Sequence, residues 1–266
     1  MNNLVFGKYI PIDSIIHKID PRIKIVTLIV LLVAIFVPDS WWCYLAIFVF
    51  ELIVLILSKI NFKMILKSFK PMLFMIILLS IINCLTIRTG DVLFNIFGFG
   101  IYSDAIFNTL FIVARLFMMI ILTTILTATT KPLDLTLGIE YLLTPLTKIG
   151  FPSHEIAMMI SIALRFIPII IEETMRIMQS QKSRGVDFDE GKLKEKLKAI
   201  LSLIIPLFSV AFERAYELAD AMEARGYVPD QKRTRYRILK FHFYDFIYLF
   251  FSIALLGFVI YTKVVL

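Results

Sequence analysis

The stretch Ala105–Ala128 reads AIFNTLFIVARLFMMIILTTILTA and contains a single charged residue, Arg115. A helix of this length rises about 36 Å at 1.5 Å per residue, and roughly 20 apolar residues are enough to cross the hydrocarbon core of a bilayer. The rest of the chain has the same character. It is 266 residues long, 59% hydrophobic and 18% charged, whereas soluble domains are about 45–50% apolar and about 25% charged. The sequence therefore predicts an all-α integral membrane protein.

Four other apolar runs are candidates for membrane-spanning helices: Ile25–Val37, Trp41–Leu57, Met72–Leu85 and Phe241–Tyr261. Lysine and arginine alternate between the segments that connect the runs. The N-terminal arm and the second connection are rich in them, the first connection has none, and the third has only Arg88. Because such residues accumulate on the cytoplasmic side, we expect five spans with the N-terminus inside and the C-terminus outside. The net charge of +7 then belongs to cytoplasmic loops, and we expect no nucleic-acid partner.

Two further apolar runs, Ile156–Ile171 and Leu197–Val210, do not fit this alternation. The segment between them carries six basic residues, and it would lie outside the cell if both runs crossed the membrane. We therefore expect two long amphipathic helices against the cytoplasmic face. The predicted domains are a membrane domain of four spans (1–128), a cytoplasmic coupling domain (129–240) and a C-terminal transmembrane helix (241–266).

Two charged residues fall inside predicted spans at matching depth. Glu51 and Arg115 each lie ten residues into a span that starts on the outer side. A lone charge in the bilayer is costly and calls for a partner. We favour a structural ion pair between the two helices, and a pathway for ions or protons in a self-sufficient secondary carrier is the alternative.

The sequence lacks the usual patterns of catalytic sites. Gly185–Leu193 resembles a phosphate-binding P-loop, but the glycine spacing is wrong and no Ser or Thr follows the lysine. The three histidines are scattered, and Cys43 and Cys84 lie in apolar runs without metal-ligand spacing. We expect no catalytic residue, cofactor or metal, and a membrane enzyme that acts on lipid is a further alternative, disfavoured by the absence of an acid-base or metal set.

Two helix ends in the predicted coupling domain carry the same pattern of a small residue, an arginine and a glycine. They are Ser183-Arg184-Gly185 and Ala224-Arg225-Gly226. A helix cap explains one such end, since glycine just past a helix and arginine in its last turn are common. Two of them, each closing a long helix, predict matched contacts with two similar partner sites, as in a dimer of ATPase subunits.

A stripe of small residues precedes the second of these ends. Ala211, Ala215 and Ala219 recur at every fourth position, which places them on one face of a helix and lets another backbone approach closely. We expect this stripe to be a helix-crossing or partner-contact surface.

Several motifs resemble those of one transporter family: Ser14–Lys24 (SIIHKIDPRIK), Thr129–Leu146 (TTKPLDLTLGIEYLLTPL), Ala163–Pro168 (ALRFIP) and Ala221–Tyr227 (AMEARGY). Their residues and order are similar to those of the transmembrane T component of energy-coupling-factor (ECF) transporters, the EcfT family. The match extends over nearly the whole chain.

The resemblance implies a non-catalytic, multi-pass subunit of an ABC importer in the bacterial cytoplasmic membrane. Such a subunit joins a membrane-embedded, substrate-binding S component to two cytoplasmic P-loop ATPases. Arg184 and Arg225 are then expected to dock in grooves of the two ATPases, and the alanine stripe is expected to contact the S component or a crossing helix. The S component, rather than this chain, would select the cargo, a vitamin or another micronutrient such as a metal ion.

Overall fold

The computed structural model describes residues 9–38, 40–96, 99–150, 152–188, 192–228, 239 and 241–265. The α-helices in this part of the chain are α1 (Ile15–Lys18), α2 (Pro21–Phe36), α3 (Trp41–Ser58), α4 (Phe62–Phe69), α5 (Leu73–Thr86), α6 (Ser103–Thr129), α7 (Pro132–Leu143), α8 (Ser153–Ser183), α9 (Leu193–Ala224) and α10 (Phe243–Val265). Two 3-10 turns, Lys70–Met72 and Thr144–Ile149, join α4 to α5 and follow α7. The predicted all-α membrane fold is confirmed.

The chain forms two compact units. The first comprises residues 1–142 together with 239–266, and the second comprises residues 143–238, with α8 and α9 as its long helices. In the first unit α10 packs against α2 and α3. The predicted division at residues 128 and 240 concerns which segments lie in the membrane, and it stays a prediction.

In the part of the chain that the structure describes, five helical segments are long and apolar enough to cross a membrane: Trp41–Ser58, Phe62–Thr86, Ser103–Thr129, His154–Ser183 and Phe243–Val265. Their number agrees with the sequence, but their membership differs. Helix α2 is 16 residues long, which corresponds to about 24 Å, whereas α8 has the length and the hydropathy of a span. Length and hydropathy do not decide which helices cross, so the cytoplasmic placement of α8 remains a prediction.

A two-stranded hairpin lies between α5 and α6 and was not predicted from the sequence. Strand β1 (Val92–Ile96) pairs antiparallel with β2 (Phe99–Tyr102), with an irregularity after Val92. Gly90 precedes it with φ +91°, and a Cβ there would lie 2.5 Å from the Ser103 Oγ. Only glycine fits this turn.

Helix α6 is the centre of the first unit and packs against α2, α3, α4 and α5. Two apolar clusters surround it. One joins α6 to the N-terminal arm and to α4 through Ile125, Ile16 and Ile65. The other joins α6 to α2, α3 and α10, and its members include Met118 and Ile47. Between helices in a membrane, close van der Waals packing of such side chains holds the helices together.

One buried carboxylate serves the beginnings of two helices. Asp245 is fully buried in the first turn of α10. Its Oδ2 accepts the backbone N–H of His242 at 2.6 Å, and its Oδ1 accepts the backbone N–H of Asp20 at 2.9 Å. Asp20 is in turn the N-cap of α2 and accepts the N–H of Arg22 at 2.8 Å. The first N–H groups of a helix have no partner within it, and here one side chain serves both helix starts.

Arg22 connects this carboxylate network to residues of the first unit that precede and follow the second unit in sequence. Its guanidinium forms a bidentate ion pair with Asp20, from Nε to Oδ1 at 3.0 Å and from Nη2 to Oδ2 at 2.7 Å. Its Nη2 also donates to the Leu239 carbonyl at 3.2 Å. The same group lies over the rings of Phe241 and Tyr141, 3.9 and 4.8 Å from their centroids. We call Asp20, Arg22 and Asp245 the helix-start node.

The N-terminal arm also closes the end of α6. The N–H of Ile10 donates to the Ala128 carbonyl at 3.0 Å, and the buried Lys24 Nζ donates to the Thr129 carbonyl at 3.1 Å. Carbonyls in the last turn of a helix lack intrahelical donors and favour a nearby cation. Residues of the first sequence motif therefore hold the start of α2 and the end of α6 together.

His17 fixes the turn that precedes α2. Burial lowers the pKa of His17, which favours the neutral ring. Its Nε2–H donates to the Ile10 carbonyl at 3.0 Å, so Nδ1 is the acceptor that faces the Ser14 hydroxyl at 2.7 Å. The ring is thus satisfied without a charge.

We expect Asp245→Asn to destabilise the first unit. An amide offers one acceptor oxygen, so one of the two helix-start N–H groups would face an NH₂ group instead. Hydrogen bonds to a charged group contribute about 1.5–3 kcal/mol, and the thermal unfolding midpoint in detergent should fall by several degrees. Asp220→Asn, at an exposed position of α9, is the matched control. Equal midpoints for the two variants would contradict this role of Asp245.

Candidate functional site

The end of α8 has the hydrogen bonds of a Schellman motif. Arg184 is the last residue with near-helical backbone, at φ −87° and ψ 8°, and Gly185 turns to φ +83°. The N–H of Gly185 donates to the Lys182 carbonyl at 3.0 Å, and that of Val186 donates to the Gln181 carbonyl at 3.1 Å. This pair of bonds satisfies carbonyls that the helix leaves open.

The end of α9 repeats the same geometry. Arg225 has φ −87° and ψ 7°, and Gly226 has φ +71°. The N–H of Gly226 donates to the Glu223 carbonyl at 2.8 Å, and that of Tyr227 donates to the Met222 carbonyl at 3.0 Å. The two arginines thus have nearly identical backbone conformations, each followed by the same reversal of the chain.

Glycine is required at these two positions by backbone conformation rather than by space. A Cβ at Gly185 or Gly226 would meet no other atom within 4 Å. A positive φ, however, favours glycine over every other residue. The half-buried Val186 and Tyr227 complete the motif; Tyr227 belongs to the sequence motif Ala221–Tyr227, whereas Val186 was not predicted. Their position directly after the glycine is the signal that could have identified them, since an apolar contact at this site accompanies the motif.

Both arginines are available to a partner. Arg184 and Arg225 are exposed, as are the small residues Ser183 and Ala224 before them. Neither guanidinium forms a hydrogen bond or ion pair with any residue that the structure describes, whereas Arg176 of α8 pairs with Glu173 at 3.2 Å. A guanidinium offers five N–H donors in a fixed plane that matches a carboxylate or phosphate. The two helix ends can therefore each bind one acidic group.

Helices α8 and α9 pack against each other within the second unit. An apolar cleft of about 440 Å³ lies between them, and its lining includes Ile162, Phe166 and Ile170 of α8 and Ala211, Ala215 and Leu218 of α9. Two residues of the predicted alanine stripe thus face this cleft. Ala215 and Ala219 are also exposed, and Ala211 is half-buried. The small side chains leave room for another element to approach α9.

The predicted ion pair within the bundle is not formed. Glu51 is fully buried, and neither of its carboxylate oxygens has a hydrogen-bond partner. Arg115 instead donates through Nη2 to the Tyr44 hydroxyl at 2.7 Å, and that hydroxyl donates to the Pro38 carbonyl at 3.1 Å. Tyr44 precedes Glu51 by seven residues on α3, which corresponds to about 10 Å. Arg115 is turned toward the start of α3 and away from Glu51.

The comparisons with known proteins agree with the motifs. The family model of the cobalt transport protein CbiQ matches residues 13–236. Three similar proteins are each named energy-coupling factor transporter transmembrane protein EcfT. That of Bacillus subtilis is 41% identical over 239 residues, which are 90% of each chain. That of Lactococcus lactis is 42% identical over 92% of each chain, and that of Macrococcus caseolyticus is 38% identical over 99% of each.

These matches confirm the resemblance that the sequence motifs indicated, and they agree with a multi-pass helical membrane protein. Because the family model and the relatives both extend over most of its length, this chain belongs to the CbiQ and EcfT family, the transmembrane T components of energy-coupling factor transporters.

Proposed function

We propose that this chain is the non-catalytic coupling subunit of an ECF-type ABC importer in the bacterial cytoplasmic membrane. It joins two cytoplasmic P-loop ATPases, which hydrolyse ATP, to a membrane-embedded S component, which binds the cargo. The observation that carries this proposal is the pair of exposed arginines, Arg184 and Arg225, at two helix ends with the same backbone geometry.

The ends of α8 and α9 have the same geometry and therefore fit two partner sites of the same kind. Each arginine leaves its helix with the same φ and ψ, and each is followed by a glycine in the left-handed region. Two such ends fit two copies of one acidic groove, as a dimer of similar ATPases provides. Charge-assisted bonds between guanidinium and carboxylate are among the strongest hydrogen bonds in proteins.

The two helices are long enough to transmit movement over a distance. Helix α8 has 31 residues and α9 has 32, which corresponds to about 46–48 Å each. Because they pack on each other, a displacement of one end would shift the cleft between them. Opening and closing of the ATPase pair would thereby move the contact surface of the S component.

The surface that we assign to the S component is the second half of α9. Beside the exposed Ala215 and Ala219, the side chains of Phe212 and Tyr216 are 60% and 70% exposed. Large exposed apolar groups next to small residues are typical of a protein contact surface. The cargo, a vitamin or another micronutrient such as a metal ion, is selected by the S component in this proposal.

The first prediction concerns the two arginines. We expect Arg184→Glu and Arg225→Glu each to lower the recovery of ATPases with this chain at least tenfold, because reversal places like charges together. The double variant should recover none. Recovery is measured by affinity purification in detergent from cells that express the whole complex.

Arg176→Glu is the matched control, since Arg176 is exposed on α8 but lies away from its end. It should leave recovery unchanged. ATPases that never co-purify with the wild type, or that tolerate both end reversals as well as they tolerate the control, would refute the docking proposal.

The second prediction concerns the chain reversal after Arg225. Alanine in the left-handed region costs about 1–2 kcal/mol, and asparagine adopts it more readily. We expect Gly226→Ala to weaken ATPase recovery and Gly226→Asn to restore most of it. Gly257→Ala in α10 is the control, because Gly257 has no positive φ and a Cβ there meets nothing within 4 Å. Normal recovery with Gly226→Ala would show that this backbone conformation is not needed for docking.

The third prediction separates the coupling subunit from a self-sufficient carrier that uses Glu51. The carrier is an alternative because the buried Glu51 carboxylate has no hydrogen-bond partner. An ionised group in such surroundings is costly, so an uncharged residue of the same shape should be tolerated. We expect Glu51→Gln to leave ATP-driven uptake by the reconstituted complex unchanged. Loss of uptake with an intact complex would favour the carrier.

A further inference from the structure

We propose that the first half of α9 is a binding surface for anionic phospholipid and that it lies in the plane of the inner leaflet. The inference rests on the cytoplasmic placement of α9 in the proposed function, but it does not require the docking of ATPases. It concerns residues 193–208, which precede the alanine stripe.

This segment exposes a continuous apolar face. Leu193, Leu197 and Phe208 are 87%, 59% and 60% exposed, and Ile200, Leu201, Ile204 and Ile205 are also among the exposed side chains. At about 100° per residue, these seven positions fall within an arc of about 140°. In contrast, Ala199 is buried at 5% exposure and lies on the opposite side of the helix. The apolar face therefore lies on the side of the helix opposite the buried Ala199.

Basic residues border this face on both edges. Lys196 lies just beyond one edge, Lys198 lies just beyond the other, and Lys194 lies inside the latter edge; all three are exposed. A lysine at such a border can lay its apolar stem along the hydrocarbon boundary and keep its ammonium group among the headgroups. The arrangement is that of a helix lying in a membrane interface, and the positive charge favours anionic lipids.

The one acidic residue among these lysines, Glu195, accepts a hydrogen bond from the backbone at the start of α9. Glu195 points to the polar side, and its Oε2 accepts the backbone N–H of Lys192 at 2.9 Å, at the start of α9. Its charge is thus drawn to the helix start. Three lysines against this one carboxylate leave residues 193–208 with a net charge of +2.

The two halves of α9 have opposite charge. The first half has three lysines against one glutamate, whereas the second half has four acidic residues against one arginine: Glu213, Glu217, Asp220, Glu223 and Arg214. An anionic surface would attract the first half and repel the second. This asymmetry favours an anionic lipid at the first half over an acidic protein that follows the whole helix.

The test uses the full chain alone in lipid nanodiscs. Cys43 and Cys84 are replaced by alanine, and Leu197→Cys carries an environment-sensitive fluorophore. Discs contain phosphatidylcholine alone or with one-third phosphatidylglycerol, and part of the lipid is brominated near the headgroup to quench the label. We expect at least twofold stronger quenching in the anionic discs. A label at Asp220→Cys, in the second half, should stay unquenched.

Two further measurements address the lysines. Exchange of Lys194, Lys196 and Lys198 to glutamine should remove the difference between the discs, and exchange to arginine should preserve it. For the wild-type lysines, raising the salt from about 0.05 to 0.5 M should weaken the quenching, since it shortens the screening length.

Equal quenching in both lipids, no quenching in either, or insensitivity to the glutamine exchange and to salt would overturn the proposal. So would a label that becomes shielded only when S component and ATPases are added, because the face would then be a protein interface. Since the discs hold no partner, failure of ATPase docking would leave this result unaffected.

Discussion

The buried carboxylate of Asp245 is the interaction on which the first unit depends. Its two oxygens accept the N–H of His242 and of Asp20, and these groups begin α10 and α2. The two helices are more than 200 residues apart in sequence and pack closely along their length. Van der Waals packing favours that contact, but apolar contacts have little directionality and do not by themselves decide how one helix is placed along the other. A charged group that satisfies both helix starts does, because a shift along the axis would leave a buried donor without an acceptor.

The helix-start node also fixes the two places where the chain passes between its units. Tyr141 and Leu239, which flank the second unit, both contact Arg22. The second unit is thus connected at both ends to points held by the same guanidinium. These contacts of Arg22 give the motif Ser14–Lys24 a structural role, although the motif is far in sequence from α8 and α9.

The sequence predicted the elements better than their partners. The apolar run 105–128 became α6 (Ser103–Thr129), and both Arg-Gly patterns close long helices. The pair Glu51 and Arg115 failed, because spacing along a helix gives depth in the membrane but not the direction in which a long side chain extends. The hairpin before α6 was missed because strands of five and four residues leave too short an alternation beside strong helical runs. The helix-start node was equally out of reach, since no local pattern relates Asp20 to Asp245.

Few side chains of the two long helices in the second unit are buried by the packing of these helices on each other. Among the described residues of α8 and α9, only Ala157 and Ala199 are buried, each with 5% exposure. Helical stability in proteins comes mainly from burial of an apolar face, and here the larger apolar side chains are exposed along much of α9. In the proposed function, other molecules cover these exposed faces. Lipid at the first half of α9, the S component at its second half and ATPases at the two helix ends would share that task. Each partner would then stabilise the surface that the next one binds, and assembly of the transporter would be cooperative even where its partners do not touch.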